Sequence, residues 1–348
     1  MTNEFAQHEI TERKPLLDDN GHLTEAGYAK SLILDYRRDD IKAASYRIKE
    51  WDYYCVTNKD YALALTVDDN SYMGLDSISL INLAEKWEIT NSPMQFFTNG
   101  KKHLPETSVT GDIRSAGKGY YIAFKNDGNK RILTFKMDNF KDGKPIEGAV
   151  TLDCPETDSM VIATPFAEDD KAFYYNQKIN CMPAEGKVLF DGREYVFNKN
   201  DSFAVLDWGR GVWTYKNTWY WGSASGTIGG IPFGFNIGYG FGDTSAASEN
   251  MIFFAGKAHK ISRLTFNIPK KDGKDDFLSP WTIVSDDMRF DMVFTPILDR
   301  ASKTDVKLVC SDQHQVFGTY TGKVKLDDGS VLQVNDFTGF AEKVYNKW

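Results

Sequence analysis

The chain has 348 residues, of which 41% are hydrophobic and 26% charged, and carries a net charge of −8. This is a globular composition, long enough for two ordinary domains or one large β structure. The acidic balance excludes nucleic acid as the main partner, because phosphate binding needs a basic field, and the longest basic cluster, Lys270-Lys271, is followed at once by Asp272, Asp275 and Asp276.

The first residues, Met1–Phe5, show neither a basic nor an apolar leader region, so no signal peptide is expected. No apolar run approaches the ~20 residues of a membrane-spanning helix. Cys55, Cys154, Cys181 and Cys310 are widely spaced, without the paired spacing of a zinc site. These features predict a cytoplasmic protein with reduced thiols, no membrane span and no metal or other cofactor. They leave the oligomeric state open.

In chain order, Thr24–Tyr36 reads as a helix, with Thr24 as N-cap and apolar residues at helical spacing. A second short helix is expected through Ile41–Ala44. From Lys49 to Tyr54, carboxylates alternate with rings, which would put Glu50 and Asp52 on an outward polar face and Trp51 and Tyr53 on a core face. Strands follow at Tyr61–Val67, Gly119–Phe124 and Ile132–Met137, each closed by a polar turn. Pro155–Asp158 and Lys178–Gly186 read as connectors. Asp191-Gly192 and Asp327–Gly329 each sit between apolar runs and mark hairpins. Many short strands with few helices predict an all-β protein of sandwich or barrel type. The expected division is an extension over 1–48, a first barrel over 49–182, and a second over 183–348 that carries the site.

Residues 207–250 stand apart in composition. They hold four of the eight tryptophans and ten of the 28 glycines. Alternation puts Trp219 and Trp221 on one strand face. Gly234, Gly238, Gly240 and Gly242 leave a strand face nearly bare, so that a backbone, ring or ligand can come close, or so that a barrel strand can bend. Asp207, Arg210, Asn236, Asp243, Glu249 and Asn250 are set among these rings. A shielded carboxylate either takes up a proton or needs a cation such as Arg210, and either state suits acid–base work; a structural Asp207–Arg210 clamp is the other reading. Asp207, Arg210, Glu249 and His314 are thus the candidate catalytic groups. Trp51, Trp208, Trp213, Trp219, Trp221, Asn236, Asp243 and Asn250 are the candidate substrate contacts. His259 reads as a surface residue. The sequence contains no nucleophile elbow, P-loop or HExxH motif.

Several blocks resemble one family: EWDYY at 50–54, DWGRG at 207–211, the WTYKNTWYW, FNIGYGFGD and SEN runs, HQVFG at 314–318, and the terminal GFAEKVYNKW. They are similar to the bacterial domain-of-unknown-function family two thousand eight hundred and four, from about Lys14 to Trp348. That family is distantly similar to paired lipocalin-like barrel proteins of the carotenoid hydratase, tocopherol cyclase and fungal pericyclase kinds. The resemblance implies two antiparallel barrels packed side by side, with a pocket at a barrel mouth or between them. It also implies chemistry on large apolar molecules by hydration, cyclisation or cycloaddition. Three functions stay open: a cofactor-independent hydratase, cyclase, isomerase or lyase acting on a small molecule; a carbohydrate-active enzyme with paired carboxylates and Trp platforms; and a non-catalytic carrier of a hydrophobic ligand.

Overall fold

The computed structural model describes residues 6–306 and 309–347. Met1–Phe5, on which the leader expectation rests, and Trp348, the last residue of the resemblance, lie outside the described residues, as do Lys307 and Leu308.

The chain forms two large curled antiparallel sheets. The first runs, in spatial order, Trp87–Asn91, Met73–Asn82, Tyr61–Asp69, Ile48–Thr57, Phe203–Val212, Asp169–Phe190, Lys144–Asp153, Lys130–Lys141, Tyr120–Asn126 and Ile113–Gly117. It curls until its far parts meet: Asn91 Nδ2 donates to the carbonyls of Asn139 and Phe140 at 3.2 and 3.0 Å. The second sheet runs Lys257–Lys260, Met251–Phe254, Ile231–Tyr239, Lys216–Ile228, Val331–Lys347, Val309–Lys325, Phe290–Val306, Trp281–Ser285 and Leu264–Asn267.

Three apolar cores follow from this arrangement. One fills the first sheet's concave side, around Trp208, Tyr54 and Phe135. Another fills the second sheet, around Phe235, Trp281 and Tyr320. The third lies where the sheets meet, with Tyr53, Cys55 and Val205 from the first and Trp221, Phe317 and Phe340 from the second.

The expected strands are present, and the Asp191-Gly192 hairpin has both central residues at positive φ, 50° and 73°, as a type I′ turn requires. The N-terminal helix is not formed. Gly27–Ala29 is a short strand paired to Val161–Ala163, and a Cβ on Gly27 would lie 2.6 Å from the His8 carbonyl oxygen. Tertiary pairing therefore overrides a weak helical period. Helical structure there is confined to single 3₁₀ turns at Arg38–Asp40 and Ser45–Arg47, on either side of the Ile41–Ala44 stretch. Pro155–Asp158 does connect two strands, whereas Lys178–Gly186 lies inside the 22-residue strand Asp169–Phe190. Pro183 is tolerated there just past a register shift between Ile179 and Met182. No helix among the described residues is long and apolar enough to cross a membrane.

Candidate functional site

Side chains of a strand alternate between its faces. Along Phe203–Val212, Ala204, Leu206, Trp208 and Val212 belong to the first sheet's inner core, while Val205 faces the second sheet. Asp207 and Gly209 share the face of Val205. Register then aligns three strands: Asp207 lies between Tyr53 and Lys178, and Gly209 between Trp51 and Asn176. Lys178 Nζ meets Asp207 Oδ1 at 2.8 Å, and Asn176 Nδ2 donates to the same oxygen at 2.6 Å. The Lys178 ammonium also lies 3.9 Å from the centre of the Trp221 ring, on its electron-rich face. Both members of this ion pair are buried.

Two further carboxyls arrive from the second sheet. Glu342, on Val331–Lys347, accepts from Trp219 Nε1 at 2.9 Å through Oε1 and from Gln315 Nε2 at 3.0 Å through Oε2. Burial pushes its carboxyl up to about 7, against the pull of the Trp219 bond and of the Lys178 charge, with Asp207 adding to the rise. Glu249 is raised too, mainly by burial; Lys178 opposes the shift and Asp207 reinforces it. Asn236 orients this corner, accepting from Trp221 Nε1 at 2.7 Å and donating to the Glu249 carbonyl at 2.8 Å. One lysine therefore stands in the field of three buried carboxyls. Burial and the Asp207 charge favour the protonated forms of Glu249 and Glu342, while Lys178 favours the charged ones, helped by Lys260 at Glu249 and by Arg300 at Glu342.

Rings wall the site. Phe241 is their hub, with centroids 4.7 Å from Tyr174, 4.7 Å from Trp213 and 5.4 Å from Trp219. Trp51 stacks on Tyr174 at 6.0 Å and meets Trp213 edge-on at 5.2 Å. The glycines make this possible. A Cβ on Gly209 would lie 1.9 Å from the Trp51 ring, and one on Gly238 would lie 3.0 Å from the Glu249 carboxyl. The bare face of Ile231–Tyr239 also lets the first sheet come close, since a Cβ on Gly234 would meet Cys181 Sγ at 2.6 Å.

Of the residues singled out from sequence, Asp207, Glu249, Asn236, Trp51, Trp213, Trp219 and Trp221 come together here. The others do not. Arg210 and Trp208 point to the opposite side of their strand, an odd number of positions or one step away from Asp207. Arg210 donates to Asp52 at 3.0 Å and to the carbonyls of Trp51 and Pro105 at 2.8 Å, with its guanidinium 4.3 Å from the Trp208 ring. The anticipated Asp207–Arg210 clamp is therefore absent, and Arg210 clamps Asp52 instead. The faces of the 49–54 stretch are likewise the reverse of those expected: Glu50 and Asp52 point inward, where Arg38 and Arg210 neutralise them, and Trp51 and Tyr53 look toward the second sheet.

Asp243 is an exposed turn residue whose carboxylate accepts from Ser245 N. Asn250 ties strands together, accepting from Gly238 N at 2.7 Å and donating to Ser262 O at 2.9 Å. His314 faces away from the site; it bonds Asp299 at 2.7 Å and stacks on Phe277 at 3.8 Å, while its neighbour Gln315 reaches Glu342. His259 bonds Asp327 at 3.1 Å. A cavity of about 670 Å³ lies elsewhere, lined in part by Tyr28, Lys260, Arg289, Lys325 and Asp327; Lys260 there already donates to Ser248 Oγ, Asn250 O and Ile261 O.

Lys178, Glu342, Tyr174, Phe241, Tyr53 and Gln315 were not foreseen. For Glu342 the signal was available: it follows Phe340 at the period-two spacing of a buried strand face.

The family described as Domain of unknown function (DUF2804) matches residues 7–348. No curated protein matches the chain. Among solved structures, an AttH candidate from Nitrosomonas europaea superposes with a TM-score of 0.54 at 9% identity, over 94% of this chain and 98% of its own. Kievitone hydratase from Nectria haematococca gives a TM-score of 0.49 at 10% identity, over 86% of this chain and 88% of its own. At such identities the likeness to the Nitrosomonas protein is one of fold.

Proposed function

This chain belongs to that domain-of-unknown-function family, and for it we propose an acid–base enzyme without redox cofactor. It would act as a hydratase, cyclase, isomerase or lyase on a small unsaturated molecule held between the two sheets. The observation that carries this reading is the Lys178–Asp207 ion pair with Glu249 and Glu342 in its field, closed in by indole and phenol rings. A carboxyl titrating near 7 serves as donor or acceptor at neutral pH with little driving-force penalty. Glu342 would deliver a proton to the substrate's unsaturated carbon or to a departing hydroxyl. Cationic character developing there would face the rings, as the Lys178 ammonium already faces Trp221. Asp207 or Glu249 would then take a proton from the adjacent carbon or from the attacking water.

The ring faces favour this reading over a sugar site. Trp221 is capped by Lys178 and Trp51 is stacked on Tyr174, which leaves these faces unfree as sugar platforms. A small-molecule substrate and a cytoplasmic setting belong to the same proposal. We also place the domain division where the chain leaves the first sheet for the second, between Val212 and Lys216.

The test is incubation in deuterated water with a panel of polyunsaturated and phenolic compounds, read by mass spectrometry. Gain or loss of one water, or deuterium uptake, by the wild type and not by folded Glu342→Gln or Asp207→Asn supports the enzyme. Tight binding of a panel member with neither change supports a carrier and overturns it.

A further inference from the structure

The second oxygen of Glu342 is held by Gln315, and the way Gln315 faces is decided one residue further out. Arg300 Nη1 donates to Gln315 Oε1 at 2.6 Å. A guanidinium has only donors. The amide must therefore turn its oxygen toward Arg300 and its nitrogen the other way. On that side Nε2 donates to Glu342 Oε2 at 3.0 Å. The Tyr53 hydroxyl lies 3.2 Å from Nε2 and 3.3 Å from Oε1, so it serves either face of the amide and leaves the choice to Arg300 and Glu342. With the amide reversed, its oxygen would face a carboxyl oxygen, an arrangement stable only when Glu342 carries a proton.

The fold builds this row deliberately. Arg300 is the register partner of Gln315, and Gln315 of Glu342, across three adjacent strands. Phe290, Met292 and Phe294 point into the second sheet's core. By simple alternation Arg300 would point there too. The register shift between Pro296 and Leu298 inserts one residue and turns Arg300 toward the first sheet. Gln315 and Glu342 are buried, and Arg300 is half-buried at the edge of the site.

We propose that Arg300 is a positioning residue for Glu342: by locking the Gln315 amide it keeps an N–H donor on the carboxyl and favours the ionised form. Among the described residues, the other charged or titratable groups around Glu342 include Lys178, Asp207 and Tyr174 from the first sheet, Tyr53 and Cys55 beside them, and Glu249, which shares the fields of Lys178 and Asp207. The functional meaning of the proposal rests on Glu342 being the site's proton carrier, but its test does not, because it reads titration and not turnover.

The experiment is a carboxyl ¹³C NMR titration of protein labelled at glutamate, with the Glu342 signal assigned from Glu342→Gln. Arg300→Met and Gln315→Leu should each raise the Glu342 midpoint by about one unit, the size of one lost charge-assisted hydrogen bond. The double variant decides the route. If Arg300 acts through the amide, the double rise falls short of the sum of the single rises by about half a unit or more. Additive rises would mean that Arg300 acts by its charge alone, and unchanged midpoints would mean that it does not act on Glu342; either result overturns the proposal. Melting curves establish that each variant is folded, and Arg300→Gln replaces Arg300→Met in the cycle if the latter is not.

Discussion

Asp207 and Arg210, three residues apart on one strand, face opposite ways: Asp207 meets Lys178 at 2.8 Å between the sheets, and Arg210 meets Asp52 at 3.0 Å inside the first. Two buried ion pairs thus sit back to back across a single backbone. They separate stability from chemistry, and substitutions at the two positions should behave differently.

Replacing Asp207 by Asn should abolish turnover while moving the melting temperature by only a few degrees, roughly the shift of 1 kcal/mol or so in a chain of this size. Lys178 keeps Glu249 and Glu342 in its field, so it is not left without counter-charge. The loss of a neighbouring negative charge should also lower the Glu342 midpoint below its value of about 7. Calorimetry and the carboxyl NMR titration read the two effects separately.

Arg210→Met should cost about 3–5 kcal/mol, because Asp52 would be left buried without its cation. Adding Asp52→Asn should recover part of that loss. Urea unfolding of the single and double variants measures both. A single variant as stable as wild type would contradict the assignment of Arg210 to the structural role.

The pH dependence follows from Glu342. Its carboxyl is raised from an ordinary 4.5 to about 7 in the folded chain, so the folded state binds the proton more tightly than the unfolded one. The stabilisation from that proton is fully present below about 4.5 and is lost as pH rises through about 7. Its size is at most about 3–4 kcal/mol. Glu342→Gln removes this dependence, so its melting temperature relative to wild type should rise between pH 5 and pH 8. A constant difference across that range would show that Glu342 titrates no differently in the folded chain.

Gly209→Ala should be destabilising and should redden or broaden the tryptophan emission, because the new methyl would occupy the place of the Trp51 ring. The substitution displaces Trp51 from Tyr174 and from Trp213, costing about 1–3 kcal/mol of overpacking. Fluorescence and a denaturant melt on the same sample check it.

The strand architecture was legible because alternation and turn chemistry are local. Asp191-Gly192 announces its hairpin from two residues alone. The site was half legible. Asp207, Glu249, Asn236 and the tryptophans stand out because polar groups among rings are rare in composition, but which groups meet depends on parity and pairing. Parity was in fact available: positions 207 and 210 differ by an odd number, so in a strand they cannot share a face. Pairing was not. Lys178 sits among residues whose Pro183 and Gly186 imitate a loop, and only the register with Asp207 shows it to be a strand residue at the heart of the site. The inward turn of Glu50 and Asp52 was hidden for a related reason, since carboxylates go inside only where arginines from distant segments, here Arg38 and Arg210, go with them.

The meeting of Tyr53 with Gln315, 262 positions later in the chain, has a kinetic consequence. Contacts so far apart in sequence form slowly, because a long loop must close before they bring any reward. On the ribosome the first sheet can curl and bury its inner core while its outer face, with Trp51, Tyr53 and Val205, still lacks its cover. That face stays adhesive until the strand bearing Glu342 has been made and docked. The interval before docking is when this chain is most exposed to aggregation, and a chaperone that shields aromatic strand surfaces would matter most then.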